Sequence, residues 1–293
     1  MPALPADMRS ELAALEAALS GIALGGTGNG RGRFALAYSG GMDSRFLAHA
    51  AKLLGFEAHL LMAVGPQVPP EEEEYGEGWA RRNGFPLTKV GVDTLSLPLV
   101  ARNGKRRCYE CKREIFSRLR EASSLPLCDG TNASDALAYR PGTQAAKELG
   151  IRSPLAQAGL SKADIYRLAA LSGMERPEQK PRPCLLTRLP YGMEPDSETL
   201  RALAAGERAV RLAFVSAGRP EEDFRLRLVP SEGGLHTELH LLRHEADGLP
   251  PDLKARLPAL IAEAAPHLPV PALIAPQDSL SGFFDNLQPT DTI

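Results

Sequence analysis

The chain has 293 residues, 24% of them charged, with a formal net charge of −2. That length allows one large or two moderate domains with a buried core, and the near-average composition excludes wholesale disorder. The near-neutral charge argues against a global electrostatic pull on nucleic acid and leaves only a local basic patch. The opening stretch MPALPADMRSELAALEAAL lacks a basic region followed by an apolar core, so it is not read as a signal peptide. No run of about 18 apolar residues spans a membrane. The expectation is a soluble, cytoplasmic protein without a membrane partner.

Met8, Leu12, Leu15, Leu19 and Ile22 recur at spacings of three and four, which predicts an amphipathic helix. The glycine-rich GGTGNGRGR follows as a connector. It holds no GxGxxG and precedes a strand, so a dinucleotide fingerprint is excluded. From Phe34 strands and helices alternate: strands at 34–38, 58–64, 87–92 and 125–129, and helices at 43–54, 71–83 and 110–122. That order implies an α/β fold, a parallel sheet with helices on both faces, whose ligands bind beyond the carboxyl ends of the strands. The proline-rich GMERPEQKPRPCLLTRLPYGMEPDS reads as a long functional loop or a domain junction. A helix at 197–217, two alternating segments at 224–229 and 235–242 and a helix at 251–265 then make a small α+β C-terminal domain. The division is 1–33 for the N-terminal helix and connector, 34–190 for the first domain, 191–269 for the second and 270–293 for a tail of weak periodicity.

The chemistry concentrates at FALAYSGGMDSR, where a strand meets a helix through two glycines. Gly40 and Gly41 let successive N–H groups curl around an anion, and the helix adds its positive N-terminal end. Ser39 and Ser44 supply hydroxyl donors, and Asp43 would orient Mg2+ or cap the helix. The lysine of GxxxxGK[ST] is absent, so this is not a kinase-type or GTPase-type P-loop. A second cluster, CDGTNASDALAYRPG, puts Gly130, Thr131, Asn132, Asp135 and Arg140 in one loop at the same sheet edge. Asn132 and Asp135 also read as ordinary turn and cap residues. A third stretch is PCLLTRLPYG, with Cys184 and Arg188.

SGGxDS resembles the PP-loop of the ATP pyrophosphatase superfamily (adenine nucleotide alpha hydrolase-like fold), whose members split ATP between its α and β phosphates. With DGTNxxD…RPG, SPL and PCLxxRxPYG in this order, residues 34–229 resemble the LarE-type sulfur transferases. The resemblance implies ATP, Mg2+, adenylation of a carboxylate on a pyridinium biscarboxylic acid mononucleotide, and replacement of an oxygen by sulfur. It assigns Ser39, Gly40, Gly41, Asp43, Ser44, Gly130, Thr131, Asn132, Asp135, Arg140 and Arg188 to the nucleotide. Arg225 and Arg227 match a pair that holds the substrate phosphate, with a solvated strand face as the plainer reading. Cys184 occupies the position of the sulfur-donating cysteine, its thiolate favoured by Arg182 and Arg188.

The cysteines Cys108, Cys111, Cys128 and Cys184 read as metal-binding or catalytic thiols in a reducing compartment. Cys108, Cys111 and Cys184 match the three-cysteine variant of the family, which implies a [4Fe-4S] cluster as sulfide carrier. A sacrificial Cys184 is the alternative, and zinc with Cys128 as fourth ligand another. Cys128, in a predicted core strand, reads as packing, as do His49 and His59. The Glu71–Glu74 run reads as a solvated helix start, with one glutamate a candidate for positioning the nucleotide. The family also implies a homo-oligomer, a trimer or hexamer. A tRNA thiolase and a non-catalytic nucleotide-binding or sulfur-carrier partner are the rival readings, and nucleic acid is disfavoured by the charge.

Overall fold

The structure is a computed structural model that describes residues 8–25, 31–137, 141–180, 182–220, 222–269, 272–285 and 287. The chain forms two compact units. The first comprises Met1–Gly65, Pro70–Thr94 and Cys108–Arg182, and the second Pro66–Pro69, Leu95–Arg107 and Pro183–Ile293.

Helix α1 (Arg9–Ser20) leads into β1 (Arg33–Ala37), α2 (Met42–Leu53), β2 (Glu57–Val64), α3 (Pro70–Arg82) and β3 (Leu87–Gly91). A single turn, α4 (Pro98–Ala101), belongs to the second unit. Then come α5 (Arg107–Glu121), β4 (Leu127–Cys128), α6 (Pro141–Glu148), α7 (Pro154–Gln157) and α8 (Lys162–Leu171). The four strands make one parallel sheet in the order β3-β2-β1-β4, with Leu36 of β1 opposite Leu60 on one side and Cys128 on the other. The period-two alternation of side chains divides β1 between two cores. Phe34 and Leu36 join Leu12, Leu15 and Leu19 of α1, Phe46 of α2, Trp79 of α3 and Leu168 of α8. Ala35 joins Phe116 and Leu119 of α5 and Ala146 of α6. Helices therefore cover both faces, as the βαβ alternation predicts. Each large apolar side chain so buried contributes roughly 1.5–3 kcal/mol.

The second unit holds α9 (Ser197–Ser216), β5 (Phe224–Ser231), β6 (Gly234–Leu242), α10 (Arg243–Asp247), α11 (Pro251–Ala264) and β7 (Leu273–Gln277). β5 and β6 form an antiparallel hairpin, and α9 lies so close to it that a Cβ on Gly206 would stand 2.5 Å from Leu226. β7 pairs parallel to β6. No element is expected from the sequence beyond residue 269, so β7 is an addition. Its Pro276 lacks an N–H and is tolerated because β7 is an edge strand in the order β5-β6-β7.

Candidate functional site

From β1 the chain moves outward through β2 to β3, then returns to place β4 on the other flank of β1. The crevice between β1 and β4 is thus a topological switch point, where open α/β sheets bind ligands. The loops after these two strands carry the first and second clusters.

In the first loop Gly40 adopts φ +73°, and a Cβ there would meet Gly76 Cα at 3.0 Å and the Glu72 carbonyl at 3.4 Å. Only glycine fits that turn. Gly41 is the N-cap of α2 and offers no side chain to close the helix end, which leaves the first turn suited to an anion. The Ser44 hydroxyl donates to Gly41 O (3.1 Å) and lies 3.4 Å from Ser39 Oγ, so both serines line one turn. Gly130 backs onto this turn: a Cβ on it would stand 2.9 Å from Ser44 N.

In the second loop Asp129 accepts from Thr131 N (3.1 Å), Thr131 Oγ1 (2.7 Å) and Ser153 Oγ (2.7 Å), which fixes the DGT turn. Asn132 Oδ1 accepts from Ser134 N (2.9 Å), and Asp135 Oδ2 accepts from Asn132 N (3.2 Å). These two residues act as the mutual caps of a 3-10 turn (Ala133–Leu137). Arg140 lies outside the described residues.

The sequence reading passes over Lys162. Its Nζ donates to Asp43 Oδ1 at 2.7 Å and stands 5.0 Å from the centre of the Tyr166 ring, and its backbone N–H donates to Ser134 Oγ at 3.0 Å. Lys162 thus ties the two loops together and puts a cation at a phosphate loop that lacks its own lysine. The signal was the Ser161-Lys162 pair at a helix start, Ser161 and Asp164 forming a reciprocal cap.

In the first unit, Arg182 donates to Glu72 Oε1 at 2.5 Å. In the second, the Arg188 guanidinium is buried and pairs with Glu207 through both carboxylate oxygens (2.8 and 3.0 Å). Each arginine expected to favour a Cys184 thiolate is therefore matched by a carboxylate of its own. Arg188 also donates to Pro183 O (3.0 Å), and the Cys184 carbonyl accepts from Thr187 Oγ1 (2.9 Å). The Cys184 backbone is thus fixed ahead of a short 3-10 turn (Leu185–Arg188), while its side chain stays half-buried. Glu207, missed in the sequence, keeps its carboxyl ionised: desolvation raises its pKa, but Arg188 overrides this and holds it low.

Cys108 is exposed and Cys111 half-buried, three residues apart on the first turn of α5. Cys128 is buried in β4, where burial pushes its thiol pKa far up, in keeping with a packing role. Among the described residues no group of three or more His, Cys, Asp or Glu side chains gathers to hold a metal ion. Cys108 and Cys111 belong to the first unit and Cys184 to the second, and no step is derived through a cluster. A magnesium ion makes a smaller demand, one carboxylate plus the phosphates of a bound nucleotide, and Asp43 at the loop suits it.

Arg225 and Arg227 are both buried, so the solvated-face reading fails. Arg225 donates to Asp223 and to Phe224 O, and Arg227 to Leu280 O and to Nδ1 of His240 (2.6 Å). Because the guanidinium can only donate, His240 accepts at Nδ1 and carries its proton on Nε2, facing Glu238 (2.6 Å). Burial first, then Arg227, pushes the His240 pKa down to about 4. Burial and the neighbouring Arg188 and Arg225 lower that of Arg227 to about 10.

A parallel sheet with a lysine-free SGGxDS turn at its switch point defines a PP-loop protein. No protein-family model matches the chain. The uncharacterized protein slr1717 of Synechocystis is 38% identical over 181 residues, 60% of this chain and 67% of that protein. The uncharacterized protein MJ0830 of Methanocaldococcus jannaschii is 28% identical over 207 residues, 68% of this chain and 78% of that one. Pyridinium-3,5-bisthiocarboxylic acid mononucleotide synthase of Lactiplantibacillus plantarum is 28% identical over 185 residues, 61% of this chain and 67% of the synthase. The chain belongs to the family of the Synechocystis protein, and with the synthase among its relatives this is the LarE-type family of PP-loop proteins. Among solved structures, NMN synthetase from Francisella tularensis aligns with a TM-score of 0.46 at 14% identity, covering 59% of this chain and 74% of that one. A predicted tRNA methyltransferase subunit from Methanocaldococcus jannaschii aligns with a TM-score of 0.33 at 20% identity, covering 50% and 90%. The fold assignment rests on strand order, not on these two. Among the described residues no helix is long and apolar enough to cross a membrane.

Proposed function

We propose that this chain is an ATP-dependent sulfur transferase acting on a carboxylate of a pyridinium biscarboxylic acid mononucleotide. The observation that carries the reading is the phosphate turn at the β1/β4 crevice, with Lys162 and Asp43 paired beside it. The printed name of the Lactiplantibacillus relative supports the choice of substrate. Gly40, Gly41 and the first turn of α2 hold the β and γ phosphates, Ser39 and Ser44 donate to their oxygens, and Lys162 balances charge on the pyrophosphate. Asp43 would hold Mg2+, which would supply neutralisation of phosphate charge.

A substrate carboxylate oxygen attacks the α-phosphorus, the α–β bridging P–O bond breaks, and pyrophosphate leaves. The Cys184 thiolate then attacks the acyl carbon and AMP departs with the carboxylate oxygen, leaving a thioester. Loss of the Cys184 Cα proton to a base and cleavage of its Cβ–S bond release the thiocarboxylate and leave dehydroalanine. Arg225 and Arg227, two buried cations held by Asp223 and neutral His240, are assigned to the substrate phosphate. The exposed Cys108 and half-buried Cys111 on one helix turn favour a second reading, in which they and Cys184 would hold an iron–sulfur cluster that would supply the sulfide.

Pyrophosphate release that requires the mononucleotide, together with thiolated product, tests the proposal. ATP turnover that ignores every carboxylate offered would refute it. Product formation on tRNA, with affinity falling steeply in salt, would favour the RNA-modifying alternative.

A further inference from the structure

Cys184 ends the run GMERPEQKPRPC, whose composition favours a loop, and caps the short turn Leu185–Arg188. The part of this run within the first unit is nevertheless tied at two points to the nucleotide loop. The first tie is Arg45, the residue after Ser44 on α2. It is fully buried, donates from NH1 to Glu175 O (2.6 Å) and from NH2 to Arg176 O (3.1 Å) and Gln179 Oε1. Its guanidinium stands 5.3 Å from the Tyr75 ring centre and 5.8 Å from that of Trp79. A buried cation is costly unless it is matched; here two carbonyls, an amide oxygen and two π faces meet the guanidinium, while Nε is buried without a hydrogen-bond partner. Arg176 sits at φ +51°, a conformation side chains rarely adopt. The run thus keeps a strained residue where its carbonyls turn onto Arg45.

The second tie is Glu72, on the first turn of α3. Its backbone carbonyl walls Gly40, and its carboxylate takes Arg182 at 2.5 Å. One residue therefore touches the phosphate turn with its backbone and the run with its side chain. Cys184 follows Arg182 by two residues, a reach of at most about 7 Å of chain.

We propose that Arg45 and Glu72 are positioning residues that couple occupancy of the nucleotide loop to the placement of Cys184. The inference rests on the adenylation reading above. It makes a lysine-free loop and a cysteine far along the chain parts of one device: a nucleotide that shifts the turn shifts Glu72 and α2, and both hold the run that leads to the thiol.

The test is alkylation of Cys184 by iodoacetamide in the full chain, followed by peptide mass spectrometry with and without ATP, alongside calorimetric ATP affinity. In the wild type ATP changes the alkylation rate about 2- to 30-fold, the range expected of residues that carry coupling. Glu72→Gln and Arg182→Gln each abolish that response while ATP still binds, and the double variant does no more than either alone. Arg45→Met abolishes it as well, and Arg45→Lys retains part. If Arg45→Met fails to fold, Glu72→Gln decides. An ATP response intact in Glu72→Gln, or absent from a wild type that binds ATP, overturns the inference alone. A wild type that does not bind ATP overturns the adenylation reading, and this inference with it.

Discussion

Gly40 and Gly41 are neighbours with different reasons for being glycine, which makes them a useful pair of variants. Gly40→Ala must hold φ +73° and push a methyl to 3.0 Å from the Gly76 backbone. It is expected to lose about 1–3 kcal/mol and to abolish ATP binding. Gly41→Ala has φ −72° and meets only Ser39 Oγ at 3.3 Å, so it should fold with unchanged thermal stability. Calorimetry with ATP separates the two. Lys162→Ala should weaken ATP binding by about 10-fold or more, since a charge-assisted contact to phosphate is worth about 1.5–3 kcal/mol. Lys162→Arg should restore part of that loss. His240 sets a pH dependence. Its pKa in the fold, about 4, lies below its ordinary value of 6.5. The unfolded chain therefore takes up the proton first, and the contribution, complete above pH 6.5, declines as pH falls toward 4. The loss is on the order of 3 kcal/mol. Denaturation between pH 7 and pH 4.5 should show it, and His240→Gln should flatten the slope.

Elements that the sequence announces are those with a strong period. The apolar spacing of α1, the alternation through β1, α2, β2, α3 and β3, and the β5–β6 hairpin all appear within a few residues of their expected places. What escapes is short, or is held by long-range partners. The helices α6 and α7 fall inside a stretch read for its polar residues, and β7 is a five-residue edge strand with a proline. The Arg188–Glu207 pair joins residues on separate elements, and no spacing rule connects them. That carboxylate holds three elements of the second unit: α9, which carries it, the turn after Cys184 through Arg188, and β5 through Leu226 N (2.9 Å). Glu207→Ala should cost about 3–5 kcal/mol, because it leaves Arg188 buried with its charge unmatched. A fall in denaturation midpoint far greater than that of Glu232→Ala on the exposed hairpin turn would confirm it.

At the scale of the whole molecule, the loop motif and strand order together made the candidate phosphate turn legible, because both place a glycine turn after the first strand of a parallel sheet. The proposed substrate end was less legible. Arg225 and Arg227 read equally as a solvated face, and only burial shows them as cations held away from water. The sulfur source was least legible of all, since the same three cysteines serve a cluster or a sacrificial thiol. The central claim is that Cys184 gives its sulfur to an adenylated carboxylate. Intact-mass analysis of anaerobically purified protein, before and after one turnover with ATP and the mononucleotide, tests it most directly. Sacrifice of the Cys184 sulfur lowers the mass by about 34 Da, the elements of hydrogen sulfide, localised to residue 184. An unchanged protein mass alongside thiolated product, with iron and sulfide present in the protein, would contradict it.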